Sequence, residues 1–160
     1  MKTDFTIRTA KLSDTIGLRD LFQSTVLNVN KRNYSLEEVE DWASCGNNLS
    51  HIKEMIKTHY FIVATNLQSQ IVGFSSITQQ GYLHSMFVHK DFQGQGIATL
   101  LLKEIERYAT TNGITRITSE VSLTARPFFE KRDYIVEKEQ KRKANQLSLT
   151  NFWMAKKLTK

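Results

Sequence analysis

A strand that passes through two glycines into a helix is the feature that most limits how this chain can fold. The segment MFVHKDFQGQGIATLLL, Met86 to Leu102, has an apolar run on each side of its glycines and no charged side chain from Gln93 onward. The pattern predicts a strand that ends at Val88, a loop, and a helix that begins within Gly96 to Ala98. The start of that helix would then face the end of the strand.

Glycines at such a turn are typical of an anion-binding site. Gly94 and Gly96 leave backbone amides uncovered, the first N–H groups of a helix lack intrahelical acceptors, and the helix dipole adds about half a positive charge there. The small Ala98 would let a phosphate or the neighbouring strand come close. The residues alone therefore indicate a candidate phosphate site, with an ordinary turn as the alternative.

Two common phosphate-binding motifs do not fit this segment. A P-loop requires Gly-Lys-Ser/Thr, whereas Ile97 and Ala98 follow Gly96 here. A dinucleotide fingerprint requires a third small residue, where Thr99 stands, and an acidic residue at the end of the next strand, which only Glu120 offers. An antiparallel pair also precedes the leading strand, so this fingerprint is disfavoured.

The predicted elements alternate in type along the chain. Ser35 and Glu38 have the spacing of a capping box at the start of one helix. The predicted order is a strand at Phe5 to Ala10, three helices, three strands, a helix, a strand, a short helix and two strands, the last at Thr150 to Leu158. This order indicates an α+β (mixed α/β) fold with a sheet flanked by helices, in a single domain over residues 1–160.

Composition restricts the function classes. Lys plus Arg is 22 and Asp plus Glu is 16, so the net charge of +6 favours an anionic ligand. The densest basic stretch, Glu137 to Gln146, mixes acids with bases and has no aromatic ring, so we expect a solvated loop there and disfavour a nucleic-acid partner. The chain has one cysteine, no apolar run of the roughly 20 residues that span a bilayer, and no signal-peptide core, so we expect a cytoplasmic protein without a membrane partner.

With these residues in place, the glycine segment resembles the acyl-CoA motif of the GNAT superfamily of N-acetyltransferases. The resemblance implies that acetyl-CoA is the cosubstrate, that the loop and helix start bind its pyrophosphate, and that the strand end pairs with its pantetheine chain. The residues that the resemblance assigns to the cofactor in this way are Met86, Phe87, Val88, Gln93, Gly94, Gln95, Gly96, Ile97 and Ala98.

A second segment, VSLTARPFFEKRDY, is similar to a downstream motif of the same superfamily. The resemblance implies a central, mostly antiparallel sheet of six to seven strands, with a parallel pair that is splayed at the cofactor site. Ser122 stands where members often have an asparagine that bonds the pantetheine. Phe129 stands where many have the tyrosine that protonates the departing thiolate, so water or another hydroxyl has to supply that proton.

An amine acceptor requires a base, because an alkylamine with a pKa near 10.4 is protonated at neutral pH. Alternation in GYLHSMFV predicts Tyr82, His84, Met86 and Val88 on one face, which places His84 beside the acyl end, and an imidazole is a suitable base. We therefore predict His84 as the catalytic base, with Glu120 as the second candidate.

The acceptor pocket is predicted from the helical arm that precedes the central strands. The resemblance implies that this arm walls the acceptor, and the aromatic candidates are Tyr34, Trp42 and Tyr60, together with Tyr82 of the strand GYLHSMFV. The histidines show no paired spacing of metal ligands, so we predict no metal.

The resulting hypothesis is an acyl-CoA-dependent N-acetyltransferase that moves an acetyl group to a primary amine by direct attack in a ternary complex. An acyl-CoA-binding protein without turnover is one alternative, suggested by Phe129. Action on a protein or RNA acceptor is another, suggested by the net charge of +6. A homodimer formed through the last strand is also left open.

Overall fold

The computed structural model describes residues 4–158 and contains one seven-stranded sheet. Its strands lie in the order β1-β2-β3-β4-β5-β7-β6, and all neighbours are antiparallel except β4 and β5, which run parallel. This confirms the predicted fold class. The strands are β1 (Thr6–Thr9), β2 (Tyr60–Thr65), β3 (Ile71–Ile77), β4 (Tyr82–Val88), β5 (Arg116–Ser122), β6 (Ile135–Lys143) and β7 (Ser148–Lys157).

Five α-helices cover the two faces of the sheet. They are α1 (Thr15–Asn28), α2 (Leu36–Ser44), α3 (Leu49–Thr58), α4 (Ile97–Thr111) and α5 (Arg126–Glu130). The capping box is confirmed, because the Ser35 hydroxyl accepts from the Glu38 N–H at 3.1 Å and the Glu38 carboxylate accepts from the Ser35 N–H at 2.9 Å. Among the described residues, no helix is long and apolar enough to cross a membrane.

The core has one layer on each side of the sheet. Buried residues of α4, such as Leu101 and Ile105, pack with Ile62 on one face. Leu18 of α1 and Ile52 of α3 pack on the other face. The first three helices thus lie opposite α4, and the central strands are buried between the two layers.

The parallel strands β4 and β5 meet only briefly. Tyr82 pairs with Thr118 and Leu83 with Ser119, and the two strands diverge beyond these residues. The remaining edge of β4 toward Val88 therefore has no strand partner on its β5 side. This divergence confirms the splayed parallel pair and opens a gap in the middle of the sheet.

A β-bulge in β4 corrects the predicted alternation. The β3–β4 register pairs Ser76 with Ser85 but Ile77 with Leu83, so His84 is an extra residue without an opposite partner. Leu83 and Met86 both pack against the α4 side of the core, which regular alternation would not allow. The prediction that four alternate residues of this strand share one face was wrong, because a bulge depends on pairing with a distant strand.

The basic stretch Glu137 to Gln146 is also different from the prediction. It was expected to be a solvated loop, but β6 extends to Lys143 and pairs with β7 in the register Lys143↔Ser148. The strand lies at the sheet edge, where exposed charged side chains are common because they discourage further strand pairing. Backbone pairing with β7 therefore outweighs the weak strand propensity of its side chains.

The turn between β6 and β7 is held by the helical arm. The Asp41 carboxylate of α2 accepts the backbone N–H groups of Asn145, Gln146 and Leu147 at 2.9 to 3.1 Å. The Tyr34 hydroxyl adds a second tie by donating to the Thr150 carbonyl at 2.6 Å. These bonds bring the hairpin over the gap between β4 and β5.

Candidate active site

A cavity of about 590 Å³ occupies the gap where β4 and β5 diverge. Its walls come from both diverging strands, the start of α4, the helical arm and the β6–β7 hairpin. The volume is typical of a small-molecule site. The cavity reaches Gln93 and Ala98, which flank the turn at Gly94 and Gly96 that we call the glycine-rich end. A middle section follows β4, and a polar end lies near Tyr82 and Glu120.

The glycine-rich end has the geometry of an anion cradle. Gly94 and Gly96 have φ values of 74° and 83°, which side-chain-bearing residues rarely adopt. A Cβ built on either glycine meets nothing within 4 Å, so open space lies above the backbone. The helix begins at Ile97, whose side chain is buried in the core, and the first N–H groups of a helix have no acceptor within it. An anionic group of phosphate size fits there.

The other residues assigned to this end have different surroundings. Gln93 donates from Nε2 to the Val88 carbonyl at 2.6 Å, so it braces the loop against the end of β4. Gln95 is exposed at the turn, and Ala98 lines the cavity. Gln93 therefore shapes the cradle with its side chain, while a ligand would meet backbone at the two glycines.

The middle section follows the unpaired edge of β4. Met86 and Val88 are partly buried on the α4 side. Phe87 points to the opposite face, where its ring packs edge to face with Phe22 at 5.1 Å and near Trp42 at 6.1 Å. The strand thus offers a backbone edge to an extended ligand, while its side chains anchor it in both core layers.

Ser122 and Phe129 lie on the β5 side of the cavity. The Ser122 hydroxyl accepts from the Ala125 N–H at 3.1 Å and so supports the turn into α5. The Phe129 ring is buried and packs edge to face with Tyr134 at 5.1 Å. Tyr134 donates its hydroxyl to Glu106 at 2.8 Å, so this neighbouring phenol does not substitute for the hydroxyl that Phe129 lacks.

Three of the four aromatic residues predicted for the acceptor pocket line the cavity, whereas Tyr60 is not among the lining residues of the described chain and donates its hydroxyl to Glu104. Tyr34 accepts from the Leu123 N–H at 2.9 Å in addition to its bond to Thr150, so its hydroxyl is fully engaged in structure. Trp42 packs edge to face against it at 5.8 Å. Tyr82 stacks on Trp153, and burial together with Glu120 raises the pKa of its phenol to about 12.

His84 lies at the polar end, within a cluster of three histidines. Its ring is 5.5 Å from the ring of His59 and 6.1 Å from that of His51. His84 is open to the cavity but has protein on most sides, and this burial, followed by the two neighbouring imidazoles, lowers its pKa to about 4. The ring is therefore neutral at pH 7 and able to accept a proton.

The cluster was missed in the sequence because its members come from separate elements. His51 is exposed on α3, His59 follows that helix and is half-buried, and His84 lies in the bulge of β4. Burial and His51 lower the pKa of His59, whose Nδ1 is 3.5 Å from the Ser76 hydroxyl. Within residues 4–158, no group of three or more His, Cys, Asp or Glu side chains could hold a metal ion.

Glu120 reaches the same end of the cavity from β5. Its Oε1 accepts from Arg142 Nε at 2.7 Å, although Arg142 belongs to β6 and β7 lies between the two strands. Glu120 and Arg142 both line the cavity, as does Lys143. No pattern in the sequence indicated this pairing, because the basic stretch was expected to be a loop.

Comparison with known proteins finds acetyltransferases. A family model described as an acetyltransferase (GNAT) domain matches residues 30–158. The uncharacterized N-acetyltransferase YafP of Escherichia coli (strain K12) is 28% identical over 148 residues, which cover 92% of this chain and 93% of YafP.

Solved structures agree in fold. A GCN5-related N-acetyltransferase from Rhodopseudomonas palustris superposes with a TM-score of 0.94 and 26% identity, over 99% of this chain and 98% of that one. The PaiA N-acetyltransferase of Thermoplasma acidophilum, solved in complex with coenzyme A, gives a TM-score of 0.80 at 18% identity, over 98% of this chain and 100% of that one. At 18% identity, the likeness to the Thermoplasma protein shows a shared fold.

Proposed function

We infer that this chain, which belongs to the GNAT family of acetyltransferases, moves an acetyl group from acetyl-CoA to a primary amine by direct attack in a ternary complex. The observation that carries this proposal is the cavity between β4 and β5, which extends from Gln93 and Ala98, beside the glycine turn, to a polar end with a neutral imidazole. A cosubstrate and an acceptor can therefore meet without a covalent enzyme intermediate.

The cradle fits the phosphate end of coenzyme A. Open space above Gly94 and Gly96 and the first N–H groups of α4 suit a pyrophosphate. The unpaired edge of β4 at Met86 and Val88 suits the amide groups of a pantetheine chain. The Thermoplasma relative was solved with coenzyme A, which supports this placement.

We assign the role of base to His84. A free ammonium group is far less acidic than an imidazolium of pKa about 4, so the acceptor has to react in its neutral form. Once the amine nitrogen bonds to the acyl carbon, its N–H becomes strongly acidic, and neutral His84 accepts that proton. His59 and the exposed His51 then offer a route to solvent.

The departing thiolate needs a proton that Phe129 cannot give. With a thiol pKa near 8.5, release of a free thiolate at pH 7 is uphill by about 1.5 pKa units, roughly 2 kcal/mol. Tyr82 lines the cavity with a phenol that stays protonated at neutral pH. A phenol of pKa about 12 is, however, a weaker acid than a thiol of pKa near 8.5, so we expect the proton to come from solvent water.

The test is a screen of primary amines with acetyl-CoA, in which release of the CoA thiol is followed. Amine-dependent release by the parent, with a reduced rate for His84→Gln and unchanged acetyl-CoA binding, would support the proposal. Binding of acetyl-CoA without release for any amine would instead favour the binding-protein alternative.

A macromolecular acceptor, a homodimer and a cytoplasmic location stay predictions. An RNA acceptor would make activity depend strongly on salt and on the exposed cations of β6 such as Lys141. Arg142 on the same strand turns toward Glu120 in the cavity instead. This inward direction favours a small acceptor over a nucleic acid.

A further inference from the structure

The polar end of the cavity contains an ion pair that the acyl-transfer step does not use. Arg142 of β6 reaches across the face of β7 and donates from Nε to Glu120 Oε1 at 2.7 Å. The Glu120 side chain is 22% exposed and that of Arg142 is 59% exposed. The carboxylate thus lies in the wall, and the guanidinium projects over the cavity from the hairpin.

Each member of this pair has hydrogen-bonding groups to spare. A guanidinium carries five N–H donors, and only Nε of Arg142 has a protein acceptor among the residues described. Its two terminal nitrogens are left in the fork geometry that matches a carboxylate. Within the described residues, no donor bonds to Glu120 Oε2, so this oxygen can accept a hydrogen bond from an amine.

The charges around the pair favour an acceptor that contains both signs. Arg142 and Lys143 line the cavity as cations and Glu120 as an anion, while the nearby His84 is neutral at pH 7. His84 and Glu120 each follow the last paired residues of the two strands, Leu83 and Ser119, so they lie at the same level of the gap. An amine held at Glu120 is therefore on the side of the proposed base.

We propose that the acceptor is a small amino-acid-like molecule, a primary amine with a carboxylate a few bonds away. The terminal nitrogens of Arg142 bind the carboxylate, and Glu120 Oε2 holds the amine as it enters. The cavity of about 590 Å³ also has to accommodate the acyl end of the cosubstrate, which limits the acceptor to a small molecule. This proposal rests on the proposed function and adds the substrate class.

A library of matched pairs tests it. Each free amino acid is assayed beside its carboxamide, with acetyl-CoA and detection of the released thiol. Amidation lowers the pKa of the amine, so the amide is the better nucleophile at neutral pH, and faster reaction of the acid has to come from binding. We expect kcat/KM for at least one acid to exceed that of its amide by 10-fold or more, about 1.4 kcal/mol.

Two substitutions of Arg142 test whether this residue causes the preference for acids over amides. Arg142→Ala should lower kcat/KM for the acid far more than for its amide, so that the acid-to-amide ratio falls toward one, and Arg142→Lys should restore only part of the preference. Lys141→Ala is the matched control, because Lys141 is an exposed cation of the same strand and is not among the cavity-lining residues of the described chain.

The outcomes separate the two proposals. Amides that react as fast as their acids, or an acid preference that survives in Arg142→Ala, would overturn the assignment of substrate class and leave acyl transfer intact. No thiol release with any amine, acid or amide, would overturn acyl transfer itself.

Discussion

Replacement of Gly96 by Glu should abolish coenzyme A binding while the protein stays folded. Gly96 has φ 83° and open space where a Cβ would stand, so a Glu side chain would project over the amides that start α4. Its carboxylate would occupy the place of the pyrophosphate. Loss of two hydrogen bonds to a charged acceptor, about 1.5–3 kcal/mol each, corresponds to a rise in Kd of roughly 100-fold or more.

Gly113 provides a matched control at the other end of the same helix. Its φ is 76° and a Cβ on it also meets nothing within 4 Å, so Gly113→Glu has the same backbone strain of about 1 kcal/mol. A negative charge is favourable at the helix N-terminus near Gly96 and unfavourable at the C-terminus near Gly113. The control should therefore be the less stable variant of the two.

The assay is calorimetric titration with acetyl-CoA, accompanied by thermal unfolding of each protein. We expect parental Kd for Gly113→Glu and no measurable binding for Gly96→Glu, with the lower Tm in the control. Equal Kd values for the parent and Gly96→Glu would refute the cradle, and loss of binding in both variants would attribute the effect to folding.

Three other changes have defined outcomes. Because the pKa of His84 is lowered to about 4 in the folded state, the unfolded chain binds more protons between about pH 6.5 and 4, so the free energy of unfolding falls as the pH drops through this window. His84→Gln should reduce that fall in a series of denaturant titrations at different pH values. The same dependence of stability on pH in the parent and the variant would contradict the lowered pKa. Gly73→Ala would place a Cβ 2.9 Å from Ile97 Cγ2 and 3.2 Å from the Phe87 carbonyl oxygen. We therefore expect the free energy of unfolding, measured by denaturant titration, to fall by about 1–3 kcal/mol. An unchanged free energy of unfolding would show that α4 can shift on β3 without cost. Asp41→Ala removes the carboxylate that bonds the β6–β7 turn, so hydrogen exchange of the amides in that turn should accelerate while acetyl-CoA binding is retained. An unchanged exchange rate would show that the turn is stable without these hydrogen bonds.

The features that could be predicted from the sequence are local ones. The capping box at Ser35 involves residues three apart, and the turn at Gly94 and Gly96 requires positive φ values that glycine alone adopts readily. The proposed phosphate site could therefore be predicted from one short segment. The family resemblance then supplied the mostly antiparallel sheet with a splayed parallel pair, which the structure confirms.

The polar end of the cavity could not be predicted from the sequence because it is assembled from distant segments. The bulge at His84 exists only through the register with β3, and it moves the imidazole off the predicted face. The Glu120–Arg142 pair joins residues 22 apart across an intervening strand, and β6 forms because β7 pairs with it. Such contacts depend on tertiary pairing, which neither periodicity nor spacing encodes.

The hydrogen bonds between Asp41 and the β6–β7 turn also affect the order in which parts of the molecule fold during synthesis. They join residues 104 to 106 positions apart, so their loop-closure cost is met only after the central strands are in place. During synthesis the β6–β7 hairpin is among the last parts of the chain to emerge, well after the cradle segment at Gly96. A nascent chain can therefore contain the proposed phosphate site before the hairpin proposed to select the acceptor has been synthesised.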